Sequence, residues 1–205
     1  KLHTNYKKIL ADTITPVSIY LKIRDTFPNS ILLESSDYHG NENSFSYVCC
    51  NPIASISVKD QIVSETFPDG KSDTTHCKTA HEIPGMIHEF SQKFETENQK
   101  FKFINNGLFG YIGYDAVKYF EDIEIAKKQD DLEIPDIYYA VYQNIIAINH
   151  FKNEAYIFSH SYDQSNNIEE IHQLIGNRNF ASYTYQNAND EKSSLSDEEF
   201  MEHVE

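Results

Sequence analysis

Three groups of residues in this 205-residue sequence are of types that do chemistry. Cys49, Cys50, His76, Cys77 and His81 offer the thiolates and imidazoles that hold zinc. Their spacing speaks against a shared ion. There is no C-x-x-C, and adjacent Cys49 and Cys50 in a strand would point to opposite faces. They read as ordinary buried cysteines, packed as small apolar residues. Gly107, Gly110 and Gly113 lie between a strand-like run and a helix, where phosphate-binding loops occur. The spacing is G-x-x-G-x-x-G, however, with neither G-x-G-x-x-G nor a following G-K-[ST]. These glycines read as permitting close backbone approach in a strand crowded by Phe109, Tyr111 and Tyr114.

The third group is carboxylate. Asp130-Asp131, Asp190-Glu191 and Glu198-Glu199 read as solvated loop charge, and no Ser/His/Asp arrangement stands out among nine histidines. No catalytic residue and no metal ligand is assigned. One carboxylate site is different: the strand-like ILLES ends in Glu34-Ser35-Ser36-Asp37, and a second strand opens on Ser44-Phe45-Ser46. Carboxylate and hydroxyl oxygens there could accept hydrogen bonds from the ammonium and ring N–H of an amino acid. The same residue types also close strands as Asx or Ser turns, and at this point both readings stand.

The elements that position these groups follow from periodicity and punctuation. Thr15 and Pro16 open a helix within 13–27. ILLES, SFSYVCC and IASISV read as three strands, the last two divided by Asn51-Pro52. QIVSETF and KSDTTHC, joined by Pro68-Asp69-Gly70, form a hairpin. Ile83, Ile87, Phe90 and Phe94 repeat at helical spacing. GLFGYIGYD reads as a strand, and AVKYFEDI as a short helix capped by Asp115. AKKQDDLEIPD reads as an exposed loop. Residues 137–149 and 154–160 form the clearest hairpin, turning at Lys152-Asn153, and 167–176 carry an apolar helical face. Ser196 and Glu199 have capping-box spacing, and Phe200 and Val204 begin an apolar stripe.

Composition bounds the function. The chain is 40% hydrophobic and 13% aromatic, which is enough to build a core. Its net charge of -15, with only Arg24 and Arg178 as arginines, excludes nucleic acid and anionic membrane as natural partners. No apolar run approaches a membrane span or a signal peptide, and three cysteines make no disulfide framework. A cytoplasmic protein is expected.

Six strings, in order, resemble the N-terminal region of the anthranilate synthase component I family. They are A-D-T-I-T-P-V at 11–17, L-L-E-S at 32–35, S-F-S-Y-V with N-P at 44–52, G-Y-I-G-Y-D followed by Val117 and Phe120-Glu121, I-P-D at 134–136, and S-x-x-E-F at 196–200. The resemblance implies an α+β fold: an antiparallel sheet with flanking helices, forming one half of a sandwich whose other half lies beyond Glu205. It divides the chain into a regulatory domain at 1–182, a linker at 183–195, and the start of a chorismate-binding domain at 196–205. In the family the enzyme converts chorismate and ammonia to anthranilate and pyruvate for tryptophan biosynthesis. It uses Mg²⁺ and takes ammonia from a glutamine amidotransferase, component II. The catalytic and Mg²⁺-binding residues, like those for chorismate, would lie in the other half, so this fragment alone is expected to be inactive.

L-L-E-S matches the family's signature for the feedback inhibitor L-tryptophan, which places Leu33, Glu34, Ser35 and Ser44 at an allosteric site. Ser44 departs from the pattern, standing where relatives often carry Arg or Lys to pair with the ligand carboxylate. What that departure touches is the strength of inhibition. Two other readings remain: component I of aminodeoxychorismate synthase in the folate pathway, which shares fold and substrate, and a stand-alone amino-acid-binding module.

Overall fold

The structure is a computed structural model that describes residues 1–34, 44–96, 101–123, 125, 133–177, 193 and 195–204. Two long strands form its spine, β3 (Phe45–Lys59) and β7 (Ile137–Asn149), paired antiparallel from Phe45↔Asn149 to Val58↔Ile137. Each spine strand carries two partners on its far edge. β2 (Ile31–Leu33) pairs with the first half of β3, and β4 (Ile62–Thr66) with its second half, followed by β5 (Ser72–His76). Along β7, β6 (Phe109–Ile112) takes the first half and β8 (Glu154–Ser161) the second, with β1 (His3–Leu10) outside β8. The fold is α+β; among the described residues an antiparallel sheet of eight strands carries helices α1 (Pro16–Ile23), α2 (Ile83–Gln92) and α3 (Ile168–Gly176) against it.

Burial follows from alternation. Val48 and Cys50 of β3 and Ile146 and Ile148 of β7 pack with Ile19 and Ile23 of α1 and Ile171 and Ile175 of α3. A second cluster joins Ile56, Val58 and Ile137 to Ile83 and Phe90 at α2. The opposite face is aromatic, with Tyr142, Phe109 and Phe158 buried beneath partly buried Phe45, Tyr47, Phe101, Phe103, Tyr138 and Tyr156. Cys49 belongs to this aromatic layer and Cys50 to the helix side. The two thiols therefore do point apart, as strand geometry requires. β7 serves both layers, and for that reason its sequence is an almost unbroken apolar run.

Three expectations need correction. SFSYVCC and IASISV are one strand, because Asn51 adopts φ 59° and the register against β7 shifts between Pro52 and Ala54. A bulge of this kind accommodates both an asparagine in the left-handed region and a proline within a strand. Residues 3–10 form a full strand that their polarity concealed. As an edge strand β1 needs few apolar side chains, and Lys7 reaches Glu169 and His172 instead. Finally, residues Tyr114–Tyr119 form a 3-10 helix whose N-cap is Gly113, so Asp115 lies in its first turn.

Other local signals hold. Thr15 Oγ1 accepts from the Ser18 amide at 3.1 Å, and Ser18 Oγ accepts from the Thr15 amide at 3.1 Å. Ser196 and Glu199 close the capping box of α4 (Asp197–Val204) at 2.8 and 3.2 Å. Of the proposed linker 183–195, only 193 and 195 fall among the described residues, and most of the polar loop AKKQDDLEIPD lies outside them as well.

His160 supplies a pH test of this architecture. It is buried and stacked on Phe158. Its Nε2 lies 2.7 Å from the Asn105 carbonyl, which can only accept, so Nε2 carries the proton and Nδ1 accepts from Thr4 Oγ1 at 2.9 Å. Both ring nitrogens are satisfied in the neutral form, and burial lowers the pKa below the ordinary 6.5. The unfolded chain therefore binds a proton that the folded state resists. This contribution to stability is complete above about pH 6.5 and declines as pH falls through the window below it. Denaturant unfolding between about pH 7 and 5 should show a flatter loss for His160→Gln than for wild type. Parallel curves would remove His160 from the acid response.

Candidate functional site

The candidate site is the end of the sheet where β2 stops and β3 begins. β2 is held there from three directions. α1 ends nearby, the chain turns through Asn29 at φ 60°, and Tyr142 donates its hydroxyl to the Asn29 carbonyl at 3.0 Å. Register then fixes Ile31 against Cys49 and Leu33 against Tyr47. Leu33, the last residue of β2, shares the aromatic face with Tyr47 and is exposed. Glu34 follows directly and is also exposed. Ser44 is buried just before β3, and its carbonyl accepts from the His150 amide at 3.1 Å. Ser35 lies outside the described residues.

The structure adds His150, which sequence spacing did not single out, as the partner of Ser46. Ser46 is fully buried, and its Oγ lies 2.7 Å from His150 Nε2. His150 follows β7 at the turn into β8, where Asn149 Oδ1 accepts from the Lys152 amide at 2.9 Å. The separation of 104 positions between Ser46 and His150 left no local signal, and only the β3–β7 register brings them together. On the other face of β3 lies the aromatic layer, with Phe45 stacked on Phe103 at 4.6 Å between centroids and Tyr47 6.3 Å from Phe45. Burial pushes the Tyr47 hydroxyl up to about 12, with the neighbouring Cys49 adding to the rise and a backbone hydrogen bond partly offsetting it. It stays a neutral phenol at physiological pH.

Chemically, the groups described at this strand end are hydrogen-bond acceptors and apolar surface. Glu34 gives it an exposed carboxylate and Leu33 exposed apolar surface on the aromatic face, whereas Ser44 and Ser46 are buried and lie on the face of β3 that carries Val48 and Cys50. A carboxylate of this kind accepts from an ammonium, and the aromatic face beside Leu33 is apolar surface.

The remaining sequence groups have structural roles. Cys49, Cys50 and Cys77 are buried free thiols; burial pushes Cys50 up to about 12 and raises the other two as well. Such thiols are poor nucleophiles. Among the described residues no group of three or more His, Cys, Asp or Glu could hold a metal ion, so the donor set for Mg²⁺ is not met by them. A Cβ on Gly110 would stand 1.9 Å from the Tyr138 carbonyl oxygen, and one on Gly113 would stand 3.2 Å from that of Asp136. Gly110 and Gly113 thus serve close approach to β7 and Asp136, whereas a Cβ on Gly107 would meet nothing within 4 Å and glycine is called for there by a φ of 122°. Asp136 accepts from Tyr119 and pairs with Lys118 at 3.1 Å. Burial works to raise its pKa, but the bonds from Tyr119 and Lys118 outweigh that and hold it below the ordinary value. The Asp of I-P-D is therefore an anchor for the 3-10 helix.

Comparison with known proteins places the chain in a family. The sequence pattern of the family described as chorismate binding enzyme matches residues 32–205, most of the chain, and the chain belongs to that family. Anthranilate synthase component 1 of Lactococcus lactis subsp. lactis is 28% identical over 180 residues, 83% of this chain and 36% of that protein. Its counterpart in Thermus thermophilus is 29% identical over 147 residues, covering 72% and 30%. Aminodeoxychorismate synthase component 1 of Bacillus subtilis is 29% identical over 140 residues, covering 68% and 28%. The crystal structure of anthranilate synthase component I from Streptococcus pneumoniae TIGR4 aligns with a TM-score of 0.48 at 18% identity, over 84% of this chain and 36% of that one. The chain spans about a third of the length of the curated relatives it matches. No helix among the described residues is long and apolar enough to cross a membrane.

Proposed function

We propose that this chain is the regulatory portion of an anthranilate synthase component I, and that the strand end at Glu34 is its feedback site for L-tryptophan. The observation that carries the reading is the placement of Leu33 and Glu34. Leu33 faces the aromatic layer beside Tyr47, and Glu34 follows it directly with an exposed carboxylate at the strand end. Tryptophan's ammonium would be accepted by Glu34, and its indole would lie against the layer of Phe45, Tyr47 and Phe103. With serine rather than a cationic residue at position 44, the ligand carboxylate gains less, and inhibition is weaker than in relatives with Arg or Lys there. Ligand bound here acts by favouring one arrangement of the enzyme over another, which requires different affinities for the two.

The division into a regulatory domain at 1–182, a linker at 183–195 and the start of a chorismate-binding domain at 196–205 belongs to the same proposal. So do cytoplasmic location, Mg²⁺ bound by residues of the chorismate-binding half, and ammonia supplied by a glutamine amidotransferase. The exposed Phe200, Met201 and Val204 of α4 suit a helix that packs on further structure. A second reading, component I of aminodeoxychorismate synthase, is favoured by the similarity to the Bacillus subtilis enzyme.

Product identity separates the two. The protein carrying this chain, given chorismate, ammonium and Mg²⁺, is expected to yield anthranilate and pyruvate on chromatography, whereas the 205 residues alone yield neither. Aminodeoxychorismate as the sole product would transfer the assignment to the folate-pathway enzyme.

A further inference from the structure

A second concave region, made of none of the strand-end residues, opens where the β4–β5 hairpin, the C-terminal end of α2, the start of β1 and the end of β8 meet. Its volume is about 460 Å³, within the roughly 300–1,000 Å³ of small-molecule sites. Phe67, Phe94 and Tyr162 supply aromatic walls, and Lys1, Lys71 and Lys93 bring ammonium groups to it.

The walls are fixed by the fold. The Phe67 amide donates to the Lys71 carbonyl at 2.9 Å and the Gly70 amide to the Phe67 carbonyl at 3.0 Å, with Gly70 at φ 79°, so the hairpin turn holds Lys71 beside Phe67. On the helix side, Phe90 packs 5.2 Å from Phe94 and 6.0 Å from Phe67. Lys93 Nζ sits 4.9 Å from the Phe67 ring centroid and 2.6 Å from Glu65, whose side chain is only 12% exposed. Lys71 pairs with Asp69 at 2.6 Å and keeps 81% of its side chain in solvent. An ammonium has three donors, so one carboxylate partner leaves each lysine able to take a second acceptor.

Charge argues that this is a selective feature. The protein carries 32 acidic and 17 basic residues, and its overall field repels anions. Three of those basic residues line one aromatic cleft, against a single acidic one, Asp69. Such a cleft suits a ligand with an apolar ring and one negative end.

We propose that this cleft binds a small aromatic carboxylate, its ring against Phe67, Phe94 and Tyr162 and its carboxylate at Lys71 and Lys93. A neutral amide of the same shape forfeits the charge-assisted bonds, and an aliphatic acid forfeits the ring contacts. The assignment is independent of the tryptophan reading.

The test is a saturation-transfer NMR titration of the 205-residue chain with benzoate, benzamide and acetate. Benzoate is expected to saturate with a dissociation constant in about the millimolar range, benzamide and acetate to show no saturation, and Lys71→Gln/Tyr162→Ala to weaken benzoate about tenfold. Both positions in that double variant are solvent-exposed, so the core stays intact. Lys93→Gln should weaken binding similarly, with circular dichroism reporting whether Glu65, left without its partner, disturbs the fold. Glu34→Gln should leave benzoate binding unchanged. Absence of saturable benzoate binding, equal binding of benzamide, or binding indifferent to the Lys71/Tyr162 variant would each overturn the proposal. Loss of binding in Glu34→Gln would overturn it too, by placing the benzoate at the strand end instead.

Discussion

Gly110→Ala is expected to destabilise the protein by about 2–3 kcal/mol, which for a chain of this size lowers the melting temperature by about 5–10 °C. The added methyl would meet three backbone atoms: Tyr138 O at 1.9 Å, Tyr138 C at 2.8 Å and Tyr139 Cα at 2.9 Å. Backbone cannot swing aside as a flexible side chain does, so β6 must part from β7 at its Gly110↔Tyr139 pair. Phe109, buried in the aromatic layer with Tyr142 and Ala140, would lose packing as the strand moves. Gly85→Ala provides the control. A Cβ there meets nothing within 4 Å, and the residue sits in α2, so alanine should stabilise by about 0.5–1 kcal/mol. Thermal unfolding of the pair decides: equal melting temperatures for Gly110→Ala and wild type would contradict the close-approach reading.

The second large effect concerns regulation. Glu34→Ala removes the carboxylate of the strand end proposed to accept the tryptophan ammonium. A hydrogen bond to a charged partner contributes about 1.5–3 kcal/mol, and every 1.4 kcal/mol is tenfold in affinity. Half-maximal inhibition should therefore need at least about ten times more tryptophan. Glu34 is exposed and makes no contribution to the core clusters, so activity without tryptophan should persist. Ser35→Phe, at the next position of the same L-L-E-S string, should likewise relieve inhibition. A dose–response curve that coincides with wild type in both variants would remove the string from the regulatory site.

How much of this was legible in the sequence depends on the distance over which each feature is encoded. Local chemistry read well. Thr15 caps α1, Ser196 and Glu199 box α4, and the 137–149 and 154–160 hairpin turns at Lys152-Asn153 as expected, with Asn153 at φ 52°. These are contacts between residues three or four apart, or single turns. Where a feature depends on partners far along the chain, the pattern said less. β1 has too few apolar residues to announce itself, because its ladder is supplied by β8 at the other end of the sheet's chain order. Asn51-Pro52 has the composition of a boundary, yet β7 runs past it and makes the interruption a bulge. His150 was one histidine among nine until register set it against Ser46. Residue type and family resemblance point Leu33, Glu34 and Ser44 to one strand end, and the tryptophan titration decides whether that end is a site. No local pattern carries the aromatic layer beside Leu33, since Phe103 joins Phe45 only through the tertiary fold.

The most direct test of the account is fluorescence-detected anthranilate formation by the protein carrying this chain, followed as L-tryptophan is titrated into chorismate, ammonium and Mg²⁺. The account predicts anthranilate in the absence of tryptophan, saturable loss of that activity as tryptophan rises, and a curve displaced to higher concentration in Glu34→Ala. Anthranilate production indifferent to tryptophan in wild type would contradict it.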